Sequence, residues 1–175
     1  MRSNTSGFTI VELLVVIVVI AVLAAITVVA FNGVQNRAYE SSVRSDLAMI
    51  AKKIELYKIS STGDNYPIAV SGTQRDELET IDIKVGTGAY STVANSNLTY
   101  ISSTNGTDYV VLATVKNGPV LYVRGSNPAI QVYTGPPSYP NGTMSNIATA
   151  AGLTGTFNEA TAAYVSTGGG WRFWD

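Results

Sequence analysis

An uncharged run from Leu13 to Phe31 constrains this chain more than any other feature of its sequence. Its one polar residue is Thr27, and no charge occurs between Glu12 and Arg37. As a helix, the run would span roughly 28 Å, about the hydrocarbon thickness of a bilayer. Lipid favours a helix because a helix satisfies its own backbone hydrogen bonds. The run therefore predicts a helix able to cross a membrane.

Three interpretations of this run compete: a cleaved secretory signal, a plain single-pass anchor, and an assembly-competent helix that is kept after processing in front of it. A secretory signal has a small-residue cleavage site behind a shorter apolar core, and Ala24 and Ala25 match that pattern poorly. Glu12 argues against both a signal and a plain anchor. An ionised acid costs roughly 2.5 to 3.5 kcal/mol near the centre of a membrane helix, and less toward its end. Such an acid usually has a partner.

The composition excludes several classes of function. The chain has 175 residues and a net charge of -1, which argues against nucleic-acid binding through bulk charge. It contains no cysteine and no histidine, so disulfides, thiolate or imidazole metal sites, and catalytic triads that need either residue are excluded. No serine or aspartate is identified as a nucleophile with a base beside it. We expect no catalytic, cofactor-binding or metal-binding residues, and we predict that the chain is not an enzyme.

The residues around Glu12 form a recognisable motif. A short polar leader is followed by Ser6-Gly7-Phe8-Thr9-Ile10-Val11-Glu12-Leu13-Leu14. Over about 25 residues this resembles the class III signal of type IV pilins and the related pseudopilins. The resemblance implies that a prepilin peptidase cuts between Gly7 and Phe8, that the new amine of Phe8 is methylated, and that Phe8 and Glu12 act in filament assembly.

The motif also makes physical sense. Gly7 has no side chain, so the scissile bond can enter a protease in an extended form, and cleavage creates an ammonium at Phe8. That ammonium lies one helical turn from Glu12, and in a bundle of parallel helices it can meet the carboxylate of a neighbouring copy. At 4 Å and an effective dielectric constant of 20, such a pair gains about 4 kcal/mol before desolvation. Pairing would fix the axial register of the subunits.

Two departures from the family pattern stand out. Ser6 precedes the glycine where many prepilins have a basic residue, and Arg2 is the sole cation of the leader, which weakens the positive-inside signal. The usual helix-breaking proline late in the apolar run is also missing. Asn32 and Gly33 are the nearest candidates for a soft point in the helix.

Beyond Gly33 the pattern becomes amphipathic. Apolar residues recur at steps of four and three at Val43, Leu47, Ile50, Ile54 and Tyr57. This stripe predicts a helix face that packs on a core, and Glu40 and Arg44 are spaced for an ion pair on its solvated side. One helix from Phe8 to about Ser60 would be roughly 80 Å long.

The rest of the chain predicts a small antiparallel sheet. Apolar alternating segments occur at Leu98 to Ser102, Tyr109 to Val115, Val120 to Arg124 and, as a candidate fourth strand, Ala129 to Tyr133. Asn105-Gly106 and Asn117-Gly118 lie between the first three, and both are strong hairpin signals. The second segment is apolar on both faces, so we expect it at the centre of the sheet with the amphipathic helix on one side. The predicted fold class is α+β.

Other segments leave alternatives open. Residues 146–151 and 158–164 could each form a helical turn or a loop. The acids Asp76, Glu77, Glu79 and Asp82 could bind Ca²⁺, although a solvated helix start over Thr73 to Thr80 is favoured because the spacing of a dedicated calcium loop is missing. Glycosylation patterns begin at Asn97, Asn105 and Asn141 and are attributed to chance. The aromatic tail from Gly168 to Asp175 is expected to dock on the sheet and not to form a receptor-binding patch.

These observations lead to one organisation: a leader at 1–7, a membrane or filament-core helix at 8–33, and a globular head at 34–175 that includes the amphipathic half of the helix. The resemblance implies a structural subunit that polymerises with identical copies into a surface filament of the type IV pilus kind, with adhesion, motility or DNA uptake as its role. Its partners would be a prepilin peptidase, an assembly ATPase and a membrane platform. The precursor would sit in the cytoplasmic membrane and the filament outside the cell. Alternatives are a type II secretion pseudopilin, a minor pilin, and a membrane-tethered binding module.

Overall fold

The computed structural model describes residues 7–68, 81, 83, 85–91, 97–135 and 144–160. The chain divides into two compact units, with the boundary between Arg37 and Ala38. Helix α1 runs from Ile10 to Ser60 and contributes to both units. Within the described residues, α1 has the length and apolar composition that a membrane crossing requires.

Helix α1 is continuous where the sequence suggested a soft point, since Asn32 and Gly33 are both helical. In the N-terminal unit, the Thr27 hydroxyl donates a hydrogen bond to the Leu23 carbonyl at 2.7 Å, so the one polar side chain of the apolar run is satisfied within its own helix. At the other end, the Ser60 and Ser61 hydroxyls donate to carbonyls of the last turn at 2.8 and 2.9 Å. These bonds satisfy carbonyls that the end of a helix leaves open.

The head contains a five-stranded antiparallel sheet in the order β4-β3-β2-β1-β5. The strands are β1 (Leu98–Ser103), β2 (Tyr109–Thr114), β3 (Val120–Arg124), β4 (Asn127–Val132) and β5 (Phe157–Ala160). A second helix, α2, spans Met144–Ala150, and a short 3-10 turn spans Thr87–Ala89. The α+β class is confirmed, with β2 at the centre of the sheet.

Both asparagine-glycine pairs lie in the hairpin turns that they predict. Gly106 has a φ of 67° and Asn117 a φ of 54°, in the left-handed region that these residues tolerate. A Cβ at Gly106 would stand 3.0 Å from the Tyr66 carbonyl oxygen, so the close approach of the loop after α1 also requires glycine there.

The C-terminal part of the described chain differs from one expectation. Residues 158–164 are expected to form a helical turn or a loop, but strand β5 covers Phe157–Ala160 and pairs with β1. At 158–160 the expectation is wrong because strand formation here depends on the open edge of β1, which no local pattern reveals. Residues 161–164 lie outside the described residues. At 146–151 the helical alternative is confirmed by α2. The fourth strand begins at Asn127, two residues earlier than expected, and ends at Val132.

One face of the sheet shares a core with α1. Val43, Leu47, Ile50 and Ile54 are fully buried there, as the helical stripe predicts. Tyr57, the last member of the predicted stripe, is half-buried and lies outside that core. The strands contribute Leu98, Tyr100, Tyr109, Val111, Ala113, Leu121 and Val123 to the same cluster. The predicted ion pair on α1 is also present, with 2.7 Å between Arg44 Nη2 and Glu40 Oε1.

The opposite face of the sheet has its own cover. Ile101, Val110 and Leu112 pack with residues of α2 and the segment after it. Helix α2 supplies Ile147 and Ala148, and the segment after it supplies Ala151 and Leu153, all of them buried. Strand β2 is therefore enclosed on both faces, as its continuous apolar sequence predicts.

Three buried tyrosines connect the loop after α1 to the sheet. The Tyr100 hydroxyl donates to the Pro67 carbonyl at 2.7 Å, and the rings of Tyr66 and Tyr109 meet edge to face with centroids 4.7 Å apart. The Tyr66 hydroxyl donates to Glu55 Oε1 at 2.9 Å. These contacts tie the end of α1 to β1 and β2 in a chain that has no cysteine. The predicted helix at 73–80 and the aromatic tail from Gly168 lie outside the described residues.

Candidate functional site

The predicted processing and assembly residues lie together at the start of α1. Thr9 directly precedes the helix, and Glu12 lies in its first turn. The Thr9 amide and hydroxyl both donate to Glu12 Oε2, at 2.9 and 2.7 Å. In return, the Glu12 amide donates to Thr9 Oγ1 at 3.3 Å. The side chain of each residue thus binds the backbone of the other.

This reciprocal arrangement is a capping box. A threonine at the N-cap and a glutamate three residues later satisfy two amide donors that the first turn of a helix leaves open. The negative charge of Glu12 also suits the positive end of the helix dipole. Sequence reasoning interpreted Glu12 through a partner on another chain and missed Thr9 as its partner within the chain. The spacing Thr9-x-x-Glu12 was the signal that could have revealed it.

The predicted cleavage bond lies just outside the helix. Gly7 and Phe8 precede the N-cap, and the Phe8 side chain is 80% exposed. Among the described residues, no atom lies within 4 Å of the position that a Cβ would take at Gly7. Cleavage between Gly7 and Phe8, methylation of Phe8 and the assembly role of Glu12 remain predictions.

The glycosylation patterns and the acids considered for calcium binding differ in where they lie in the structure. Asn97 is 1% exposed, which closes its glycosylation pattern to an enzyme, whereas Asn105 lies exposed in the β1–β2 turn. The pattern at Asn141 and the four acids considered for Ca²⁺ lie outside the described residues. Over the described ranges, no group of three or more acidic side chains is placed to hold a metal ion.

A cavity of about 480 Å³ lies at the C-terminal end of α1, bordered by residues of the last turn and the following loop. Its hydroxyl groups include those of Ser60 and Ser61, which are bonded to backbone carbonyls of α1. Tyr66, also in its wall, donates to Glu55. These lining groups stabilise the end of the helix and present no nucleophile with a base beside it.

Known proteins match the same N-terminal region. Residues 2–28 match the family described as the prokaryotic N-terminal methylation motif. The N-terminal segment of the chain carries this motif. The matched segment contains Gly7, Phe8, Thr9 and Glu12, so the capping box lies inside it.

Curated relatives match a longer stretch of the chain than the family does. The type II secretion system core protein G of Klebsiella michiganensis is 32% identical over 73 residues, which cover 42% of this chain and 50% of that protein. The core protein G of Klebsiella pneumoniae is 35% identical over 68 residues, covering 39% of this chain and 47% of the relative. That of Pseudomonas aeruginosa is 30% identical over 73 residues, with 42% and 50% covered. The chain thus spans about half the length of the curated relatives it matches, and no solved structure matches it significantly.

Proposed function

We propose that this chain is a pseudopilin, a non-enzymatic structural subunit of a filament of the type II secretion kind. The observation that carries the proposal is an acid capping the start of an exposed apolar helix, inside a sequence that matches the N-terminal methylation motif. The relatives are named as secretion proteins, which supports the secretion alternative better than the surface pilus that the sequence first suggested. Adhesion, motility and DNA uptake therefore have less support.

Processing would begin at the exposed segment before the helix. Hydrolysis of the bond between Gly7 and Phe8 consumes one water and leaves a carboxylate on the leader and an ammonium on Phe8. The N-cap follows Phe8 directly, so Thr9 and Glu12 both remain in the mature chain. Cleavage at this bond thus leaves the capping box intact.

Assembly would use the new ammonium and Glu12. The carboxylate accepts two hydrogen bonds from Thr9. An ammonium on a neighbouring subunit would add an attraction between opposite charges, which strengthens as water is excluded around the pair. A carboxylate in apolar surroundings can accept from both partners, because it has two oxygens and about four lone-pair sites. Thr9 would hold Glu12 in place while the neighbour supplies the opposite charge.

The surroundings of this site fit a bundle of identical helices. From Ile10 to Phe31, the large apolar side chains whose exposure is described are at least half exposed. Such a surface requires lipid or other apolar helices around it. We propose that the precursor is held in the cytoplasmic membrane and that the mature subunit polymerises on its outer side. A prepilin peptidase, an assembly ATPase and a membrane platform would be its partners.

Mass spectrometry of the mature N-terminus tests the processing step. The expected species begins at Phe8 and carries a methyl group on its amine. A Gly7→Val variant is expected to retain the leader, because a branched side chain at the scissile position hinders the extended form. A chain that keeps Met1, or one that is cut beyond Ala25, would contradict the proposal.

A second experiment tests assembly apart from processing. Glu12→Ala removes the carboxylate, and we expect normal cleavage but at least ten-fold fewer filaments in electron micrographs labelled with antibody to the head. Glu40→Ala is the matched control, since Glu40 is an acid of the same helix whose partner, Arg44, lies in the head. Filaments of normal number from Glu12→Ala would refute the role of the charge pair.

Deletion of the chain separates the secretion filament from the surface pilus. For a pseudopilin, we expect extracellular enzymes to accumulate inside the cell while surface fibres persist. For a pilus subunit, the fibres disappear and secretion continues. A membrane-tethered binding module predicts neither defect and a chain that remains monomeric in the bilayer.

A further inference from the structure

We propose that an exposed face of α1 in the head, formed by Lys52, Leu56 and Ile59, docks a second copy of this chain within the filament. We call it the 52–59 face. The inference rests on the proposed function and adds to it a lateral contact between heads. The processing and charge-pairing steps at the N-terminus do not involve these residues.

The 52–59 face is unusual among the apolar positions of the head. The side chains of Leu56 and Ile59 are 56% and 77% exposed, whereas Ile50 and Ile54 on the same helix are fully buried. Steps of four and three residues place Lys52, Leu56 and Ile59 on one side of the helix. The methylene stem of Lys52, which is exposed, adds apolar surface to the same side. A helix with a satisfied core stripe and a second exposed apolar face has surface left for a partner.

The sheet offers a less suitable surface. Among the described residues of the head, the other large exposed apolar side chain is Val132 of the edge strand β4, at 46%. At the start of that strand Pro128 has no amide hydrogen, and the Ala129 amide donates to Asn127 Oδ1 at 3.2 Å. Proline and amides already bonded locally discourage the addition of another strand at an edge. Association of heads is therefore expected through the helix face and not through strand pairing at β4.

The small size of the 52–59 face identifies its occupant. A stable interface between free proteins buries at least about 1,000 Å² in total, which a patch of two apolar side chains and a lysine stem cannot supply. A contact this small becomes effective when another attachment holds the partner nearby, at an effective concentration of the order of millimolar. A neighbouring subunit held through its apolar N-terminal helix meets that condition. A soluble partner that diffuses freely does not.

Because the chain has no cysteine, single-cysteine variants report directly on this face. The full-length Ile59→Cys variant is labelled with a membrane-impermeant maleimide in two states: unassembled in membranes of cells that lack the assembly ATPase, and in purified filaments. We expect labelling at least ten-fold slower in filaments. The matched control is Val132→Cys, which we expect to be labelled at similar rates in both states.

The outcomes are distinct. Equal labelling of Ile59→Cys in both states overturns the 52–59 contact while the filament proposal stands. Protection that is already present in the unassembled state also overturns it, because lipid or a different protein then covers the face. If the wild-type chain forms no filaments at all, the proposed function fails, and this inference fails with it.

A second pair of variants tests whether the contact matters for assembly. Leu56→Glu combined with Ile59→Glu places two acids on the face, and we expect at least a ten-fold loss of filaments with normal cleavage at Gly7. Val132→Glu, the same change on β4, is expected to leave filament number within two-fold. Thermal unfolding of the purified chains in detergent checks that the head is folded in both. Normal filaments from the double variant would refute the contact.

Discussion

The two units of this chain use the same apolar residues in opposite ways. In the N-terminal unit Leu14 and Val16 are 54% and 50% exposed, while in the head Val43 and Leu47 are fully buried. The difference lies in what each unit provides around the side chain. The head encloses its apolar residues between α1 and one face of the sheet, and between α2 and the other face, whereas the N-terminal unit is a lone helix segment in the described chain.

The two units therefore obtain their stability from different sources. The head gains free energy by removing apolar surface from water within one chain. The N-terminal unit has no such interior in the described residues, so under our proposal its apolar surface is stabilised by lipid before assembly and by neighbouring helices afterwards. Identical substitutions in the two units should therefore have different consequences.

The largest expected difference is a matched leucine truncation. Leu47→Ala removes a fully buried side chain, and we expect the free energy of unfolding of the head to fall by about 2–5 kcal/mol. Leu14→Ala removes an exposed side chain and should leave head stability unchanged. Urea unfolding of the full-length chain in detergent, followed by tyrosine fluorescence, measures both. A comparable loss of unfolding free energy in the two variants would contradict the proposed difference between the units.

A charge introduced into each unit should have the larger effect in the N-terminal unit, on retention of the chain in the membrane. Val22→Lys places a cation in the apolar run, where insertion of the helix into a membrane costs roughly 2.5–3.5 kcal/mol more. Leu56→Lys places the same charge on an exposed head position. Alkaline washing of membranes should release the first variant and retain the second. Retention of both variants at the wild-type level would contradict a membrane-crossing role for the run.

Removal of one hydroxyl from each unit gives a smaller contrast. Tyr100→Phe leaves the Pro67 carbonyl without its buried donor, and we expect a loss of about 1–3 kcal/mol in head stability. Thr27→Val deletes a hydroxyl that bonds a carbonyl of its own helix, so we expect membrane retention and head stability to be unchanged. An unchanged urea midpoint for Tyr100→Phe would show that the loop after α1 is held by other contacts.

The smallest expected effect is a loss of head stability at alkaline pH. It is absent at neutral pH. Burial raises the pKa of Tyr90 and Tyr109, and burial together with the Glu55 hydrogen bond raises the pKa of Tyr66. Because the folded state holds these phenols protonated, their contribution to stability is complete below pH about 10, the ordinary pKa of tyrosine, and declines as the pH rises further. Absorbance at about 295 nm should show these tyrosines ionising together with unfolding. Ionisation of all tyrosines near pH 10 in a folded head would refute this expectation.

Much of the fold could be predicted from short-range patterns. The helical stripe, the Glu40–Arg44 pair and the two asparagine-glycine turns each depend on residues close together in sequence, and the structure confirms them except for Tyr57 at the end of the stripe. The central place of β2 followed from its apolar sequence on both faces. The edge strands of the sheet were less predictable, because their formation depends on residues far away in the sequence. Strand β5 exists because β1 has an open edge, and β4 begins at Asn127, two residues before its predicted start, where it pairs with β3.

The candidate site was predictable in position but not in geometry. The motif located Gly7, Phe8 and Glu12, whereas the bonds between Thr9 and Glu12 became evident in the structure. Sequence reasoning considered the cost of an acid in apolar surroundings and looked for a cation, because a buried charge without a partner is strongly destabilising. It overlooked hydrogen bonds from a neighbour three residues away. Likewise, burial removed Asn97 as a glycosylation candidate, and burial of a polar residue is poorly predicted from a local pattern.

The pairing of β5 with β1 has a consequence for folding. Strand β5 follows β1 to β4 along the chain, so the edge of β1 that it covers stays unpaired until synthesis has passed Phe157. An open edge is a template for pairing with another molecule. A partly made chain is therefore most vulnerable to misassociation before β5 is available, and truncation of the chain before Phe157 would make that vulnerability permanent.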